Sequence, residues 1–199
     1  MTMAAVNKPQ DGTGIGADSN LYEPKLKRRS QRLLKMILDY DAQHRIVAVP
    51  WLDVGAGQSY MRDLLRSELG LVIDESAVNL DDAPYEYGDD YFKLITSFEV
   101  LEHLLNPLWH LRELNRVLHP GGNLLLVTPN DHSLIYKAEH LLSRKYRPHF
   151  HQFSERDVHD LMARSGFEIK HLRKFFKSPS GTLARISRNG FLVHAVKST

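Results

Sequence analysis

The stretch Trp51-Leu52-Asp53-Val54-Gly55-Ala56-Gly57-Gln58-Ser59 decides the fold. An apolar run stops at an acid and breaks into two spaced glycines. Met61, Leu64, Leu65 and Leu69 then follow at helical spacing, closed by Gly70 at the place of a C-terminal cap. Strand, glycine turn and helix form the opening unit of a doubly wound sheet and the floor of a nucleotide-type cofactor site. Gly55 and Gly57 carry no Cβ, so backbone and ligand can nearly touch there. A dinucleotide fingerprint would place a third glycine at position 60, which is Tyr60 here. The acid at the strand end points the same way: the Asp53 carboxylate would repel phosphates and would suit a ligand carrying an ammonium and a sulfonium.

Outward from this unit, strands and helices alternate. A buried strand over Ile46 to Val54 precedes the turn, and Leu71 to Ile73, ending on Asp74, and Phe92 to Phe98 follow it. Asn106-Pro107 opens a helix with Asn as N-cap and Pro in the first turn, and Pro120-Gly121-Gly122 ends it. Leu124 to Val127 reads as a strand covered on both faces. A helical stretch is expected near Ser133 to Leu142. Ser154 and Asp157 then form a capping box before Val158, Leu161 and Met162, and Gly166 stops that helix. Phe167 to Leu172 and Phe191 to Val196 are the last strands, the second after an Asn189-Gly190 turn. The expected organisation is a tail over residues 1–20 and a single domain over 21–199, divided into an N-terminal cap helix (21–45) and a core (46–199). With 199 residues, 42% hydrophobic and 25% charged, the chain suits one globular core. It has no cysteine, which excludes disulfides, thiolate metal sites and cysteine nucleophiles. A formal net charge of +2 implies no obligatory nucleic-acid partner. Without an apolar run of about 18 residues or a secretory start, a cytoplasmic protein with no membrane span is expected.

Four ordered motifs, Leu52-Asp53-Val54-Gly55-Ala56-Gly57, Phe98-Glu99-Val100-Leu101-Glu102-His103, Leu118-His119-Pro120-Gly121-Gly122 and Thr128-Pro129-Asn130, resemble those of class I S-adenosylmethionine-dependent methyltransferases. The resemblance is to the small bacterial type 11 and type 12 enzymes and covers roughly Val47 to Lys197. It implies a Rossmann-like α/β fold: a doubly wound, mostly parallel seven-stranded sheet with a reversed last strand, flanked by helices. It further implies S-adenosylmethionine lying across the carboxyl ends of the first strands, with S-adenosylhomocysteine as product. Carried over by position, Asp53, Gly55, Ala56 and Gly57 would hold the methionine part, and Asp74 the ribose hydroxyls. Asp81 or Asp82 would lie near the adenine, and Phe98 and Glu99 would close the site. A carboxylate offers two acceptors to two neighbouring hydroxyls. The chain departs from the family in the short interval between Asp74 and Tyr91-Phe92, where relatives often carry a full helix and another strand, and in Lys93, where they usually have Asp. The assignment among Asp74, Asp81 and Asp82 therefore stays open.

For chemistry, a hydroxyl or protonated amine acceptor needs a base, and neutral histidine suits this near pH 7. His103, just beyond the strand ending at Phe98, is the first candidate and His151 the second. Glu99, Glu102 and His103 are donor types that a divalent cation would accept, with His149 or His151 completing the set, but a metal is not expected. The leading reading is transfer of a methyl group to an oxygen or nitrogen of a small-molecule acceptor. The rivals are an RNA or protein methyltransferase that uses the basic stretches Lys25–Arg29, Arg144–Arg147 and Arg173–Lys177, and a non-catalytic cofactor-binding protein of the same fold. Neither the acceptor nor the oligomeric state is legible.

Overall fold

The structure is a computed structural model that describes residue 31 and residues 34–54, 74–75, 80–81, 83–130, 150–175 and 190–198. Helix α1 (34–44) leads to strand β1 (Trp51–Val54), β2 (Asp74–Glu75) and β3 (Phe92–Phe98). A 3-10 turn at Leu101–His103, helix α2 (Pro107–Val117), β4 (Leu118–Pro129), α3 (Glu155–Arg164), β5 (Phe167–Phe175) and β6 (Gly190–Lys197) follow. The strands form one sheet in the order β2-β1-β3-β4-β6-β5. β2, β1, β3 and β4 run parallel, and β6 is antiparallel to both of its neighbours, β4 and β5. The last strand is thus the reversed one, inserted between β4 and β5. The described residues supply six of the seven expected strands. None of residues 80–81 and 83–91, where the family's extra strand and helix would fall, belongs to a strand or helix.

Strand alternation divides the core into two layers. Leu52, Ile95, Leu124, Leu126, Val193 and Ala195 face the side covered by α2 and α3, which contribute Leu111, Leu114, Val117, Val158 and Met162. Trp51, Leu94, Leu125, Val127 and Leu192 face the opposite side, where α1 lays Leu34 and Ile37 on them. Full burial of side chains of this size stabilises the fold by about 1.5–3 kcal/mol each. Two covered faces account for the continuous apolar run in β4, whose residues Leu124–Pro129 are all buried.

The helix ends form as their residues dictate. The Asn106 side chain accepts from the Trp109 amide at 3.1 Å, with Pro107 in the first turn of α2. Ser154 and Asp157 make the expected reciprocal capping box on α3. Gly166, with φ +81°, takes the chain out of that helix.

Several boundaries differ from the sequence reading. β1 begins at Trp51 and not at Ile46, and β4 starts at Leu118 and not at Leu124. The β3–β4 pairing steps from Phe92↔Leu118 to Leu94↔Asn123, so 119–122 bulge out of the ladder, with Gly121 at φ +75°. A Cβ on Gly122 would stand 2.8 Å from the His119 carbonyl oxygen, which explains glycine there. Pro120-Gly121-Gly122 is thus a turn inside β4 and not the end of α2, which stops at Val117 with Leu118 already in the strand. The predicted helix near Ser133–Leu142, the 1–20 tail and Asn189 lie outside the described residues.

Candidate functional site

Parallel strands deliver their last residues to one edge, so Asp53 near the end of β1 and Phe98-Glu99 at the end of β3 lie at the carboxyl edge of the sheet, with the backbone of Asp74 in β2 level with Leu52. Asp53 is buried, and its register partner in β3 is Thr96. The Thr96 hydroxyl donates to Asp53 Oδ1 at 2.5 Å and accepts from Trp51 Nε1 at 3.0 Å. The indole fixes the hydroxyl's direction, and the hydroxyl fixes the carboxylate. A buried carboxylate is tolerated only when it is hydrogen-bonded or opposed by positive charge.

Glu99 adopts φ +59°, a left-handed conformation uncommon for a residue with a side chain, and its amide donates to the Val127 carbonyl at 2.7 Å. Such backbone strain costs on the order of 1–3 kcal/mol and persists where surrounding contacts enforce it. The chain then turns through Leu101–His103. Glu102 is fully buried and accepts from the Thr128 hydroxyl at 3.2 Å. Its main-chain carbonyl accepts from the amides of Phe150 at 2.8 Å and His151 at 3.3 Å. This carbonyl ties the 150–153 segment to the end of β3. Consequently the two candidate bases flank one turn: His103 is exposed, and His151 is half-buried with its ring stacked on Phe153.

Asp81 Oδ1 accepts from the amides of Leu105 at 2.6 Å and Asn106 at 3.1 Å, so this candidate adenine acid fastens its own segment to the start of α2. Asp74 is placed only as backbone, paired with Leu52. Gly55, Ala56, Gly57, Asp82 and His149 lie outside the described residues, as do the basic stretches 25–29 and 144–147. Arg173 and Lys174 sit on edge strand β5, where charge discourages edge-to-edge pairing. Phe153 is a buried anchor, whereas Phe150 is 65% exposed beside the turn. Among the described residues no group of three or more His, Asp or Glu side chains is placed to hold a metal ion, and no helix is long and apolar enough to cross a membrane.

The sequence reading missed Thr96, Trp51 and Thr128, which reach the acids only through strand register. It also missed two buried histidines. His110 on α2 is fully buried, and burial lowers its pKa to about 4 despite the nearby Leu80 carbonyl and the charges of Asp81 and Glu113. His194 on β6 is pushed down to about 4, first by burial and then by His171, His44 and Lys170. The Tyr40 hydroxyl lies 2.9 Å from His194 Nδ1, and Asn123 Oδ1 lies 2.8 Å from Nε2. Burial raises the Tyr40 pKa to about 12, so its hydroxyl keeps its proton and can donate to a neutral imidazole. This group lies at mid-strand, His194 being paired with Leu125, and not at the carboxyl edge.

Carboxylates at the ends of adjacent strands suit a ligand with positive charge and hydroxyl donors, and they oppose a phosphate-rich one. Comparison with known proteins agrees. A family model described as a methyltransferase domain matches residues 19–172. A curated relative from Mycolicibacterium smegmatis, named a probable S-adenosylmethionine-dependent methyltransferase, is 27% identical over 146 residues, covering 64% of this chain and 55% of the relative. The chain thus spans about half the length of that relative. Among solved structures, a SAM-dependent methyltransferase from Thermotoga maritima superposes with a TM-score of 0.58 at 18% identity, covering 86% of this chain and 99% of that one. An S-adenosylmethionine-dependent methyltransferase from Mesorhizobium loti gives 0.53 at 18% identity, with 76% and 92% covered. The [4+2]-cyclase SpnF gives 0.53 at 17% identity, with 75% of each chain covered. At these identities the structural likenesses show the fold alone. With the family model matching well over half of its length, the chain belongs to the methyltransferase-domain family, whose methyl donor is S-adenosylmethionine.

Proposed function

We propose that the protein transfers a methyl group from S-adenosylmethionine to an oxygen or nitrogen of a small-molecule acceptor. The observation that carries this reading is the buried Asp53 near the end of β1, locked through Thr96 and Trp51 and flanked by parallel strands that carry Asp74 and, just past the end of β3, Glu99. Asp53 and the 55–57 turn would hold the ammonium end, and Asp74 the ribose hydroxyls. Asp81 or Asp82 would border the adenine, and Phe98 and Glu99 would close the site. Bound there, the cofactor supplies a sulfonium-activated methyl group with a neutral leaving group. The protein's part is then orientation and exclusion of water. Burial of Asp53 and Glu102 and the fixed turn after β3 serve the first, and the two apolar layers beneath serve the second.

His103 is the proposed base, taking the acceptor's proton as the new bond forms, with His151 across the same turn as the alternative. Both are near enough to the carboxyl edge for an acceptor to lie between them and the ends of β3 and β4. A metal has no part in this scheme. Titration calorimetry with S-adenosylmethionine, S-adenosylhomocysteine and NAD tests the reading. Heat with the first two and none with NAD is expected, and NAD binding without the others would overturn it. A second reading, cofactor binding without methyl transfer, is favoured by the lack of strand or helix among the described residues 80–81 and 83–91 and by the cyclase among the fold neighbours. Transfer of labelled methyl to any acceptor would eliminate it.

A further inference from the structure

Among the described residues strand β2 comprises Asp74–Glu75 and pairs with β1 alone, on the flank that would hold ribose and adenine. In the connection that follows, the described residues 80–81 and 83–91 contain no strand or helix. Its hold comes from α2. At one end Asp81 accepts from the Leu105 and Asn106 amides. At the other, the Arg116 guanidinium reaches over the segment. Nη2 donates to the Tyr85 carbonyl at 3.0 Å, and Nη1 donates to the Tyr87 carbonyl at 2.9 Å and to Asp89 Oδ1 at 2.8 Å. Glu113, one turn earlier on α2, receives Nε at 3.1 Å and Nη2 at 2.9 Å, and its Oε2 also accepts the Tyr85 amide at 3.3 Å. The main chain closes the arrangement, with the amides of Asp90 and Tyr91 donating to the carbonyls of Arg116 and Val117. Tyr85, 4% exposed, fills the middle beside the His110 ring. The planar fork thus spends its donors on two main-chain carbonyls and two carboxylates, a pattern that a lysine's single ammonium cannot reproduce.

We infer that Arg116 is a positioning residue for the cofactor: by clamping 85–89 to α2 it holds the β2 flank in the geometry that receives the adenosine half. This rests on the cofactor reading above. It goes beyond that reading by assigning a cofactor-affinity role to a side chain on the far end of α2, away from the strand ends themselves. Side-chain contacts from α2 thus hold a segment whose described residues form no strand or helix of their own.

The test uses Arg116→Met, Arg116→Lys and the milder Asp89→Ala in the full chain. Circular dichroism and thermal midpoints first confirm folding. Calorimetry then gives the Kd for S-adenosylhomocysteine, and hydrogen exchange reads the amides of 80–91 against those of β3 and β4. In folded Arg116→Met the Kd should rise about tenfold, as expected if the competent arrangement falls to roughly a tenth of the population. Exchange should rise in 80–91 alone. Arg116→Lys should recover only part of the affinity, and Asp89→Ala should lose a smaller part than Arg116→Met. Unchanged affinity in a folded Arg116→Met variant, or exchange rising evenly across the sheet, would overturn the inference. Should Arg116→Met not fold, unchanged affinity in Asp89→Ala does the same. Wild-type protein that binds no S-adenosylhomocysteine would instead sink the cofactor reading and the affinity role with it, while the exchange data would still report whether Arg116 holds 80–91.

Discussion

The two flanks of the site are built by different means. On the β1–β3–β4 side, strands with both faces covered fix the backbone, and side chains already in register fix one another: Trp51 holds Thr96, Thr96 holds Asp53, and Thr128 holds Glu102. On the β2 side the described segment 80–81 and 83–91 has no strand or helix of its own, and Asp81, Glu113 and Arg116 secure it against α2. The first flank derives its rigidity from the core, so it can break only together with much of the fold. The second is a set of polar contacts at partly exposed positions, and it can loosen locally. The chemistry is expected on the first flank and the adjustable part of cofactor affinity on the second.

The largest effect that would sharpen this contrast is on turnover. His103→Ala should lower kcat by roughly a hundredfold or more while leaving the Kd for S-adenosylhomocysteine within about twofold, as expected for loss of a base. Steady-state kinetics with calorimetry checks it, and equal loss of both quantities would move His103 from the chemistry to the binding site. Asp53→Asn comes next. It keeps the shape but removes the charge that Thr96 orients, and it should weaken S-adenosylmethionine by about 2–3 kcal/mol, on the order of 30- to 150-fold. Affinity unchanged in a folded Asp53→Asn protein would remove the carboxylate from the account. Thr128→Val should cost about 1–3 kcal/mol of stability in denaturant titrations, because it leaves a buried carboxylate oxygen of Glu102 without that donor.

The last effect concerns neither flank. His194 has its folded pKa lowered to about 4, so the unfolded chain, with the ordinary value near 6.5, binds the proton more readily. The stability that neutral His194 contributes is therefore full above about pH 6.5 and is lost as the pH falls towards 4, by at most about 3 kcal/mol. His110 adds a loss of the same sign. The urea midpoint should fall between pH 7 and pH 5, and it should fall less in His194→Gln. An identical slope in the variant would show that the Tyr40–His194–Asn123 chain does not govern it.

The sequence disclosed what depends on neighbours along the chain. The strand reaching Asp53, the Asn106-Pro107 start, the Ser154–Asp157 box and the Gly166 stop are all local signals, and each forms where its residues stand. What depends on register was hidden. Thr96 meets Asp53 only because β3 aligns beside β1 at that residue, and Arg116 meets Tyr85 only because the 80–91 connection runs along α2. Tyr40, His44, His171 and His194 carry no common pattern in the chain and converge only when α1 lies on β5 and β6. The extra residues of 119–122 were legible as a turn, but their place within β4 requires knowing that Phe92 and Leu118 pair. Asp81 shows the limit most plainly, since its letter fits an adenine acid while its contacts are those of a loop fastener.

The central claim is that acids at the ends of β1, β2 and β3 receive a positively charged methyl donor. A crystal structure grown with S-adenosylhomocysteine tests it most directly. The account predicts ligand density across those strand ends, with the amino group at Asp53 and the ribose hydroxyls at Asp74. Density at another place on the fold, or a ribose at Asp53 with the amino acid end elsewhere, would contradict it.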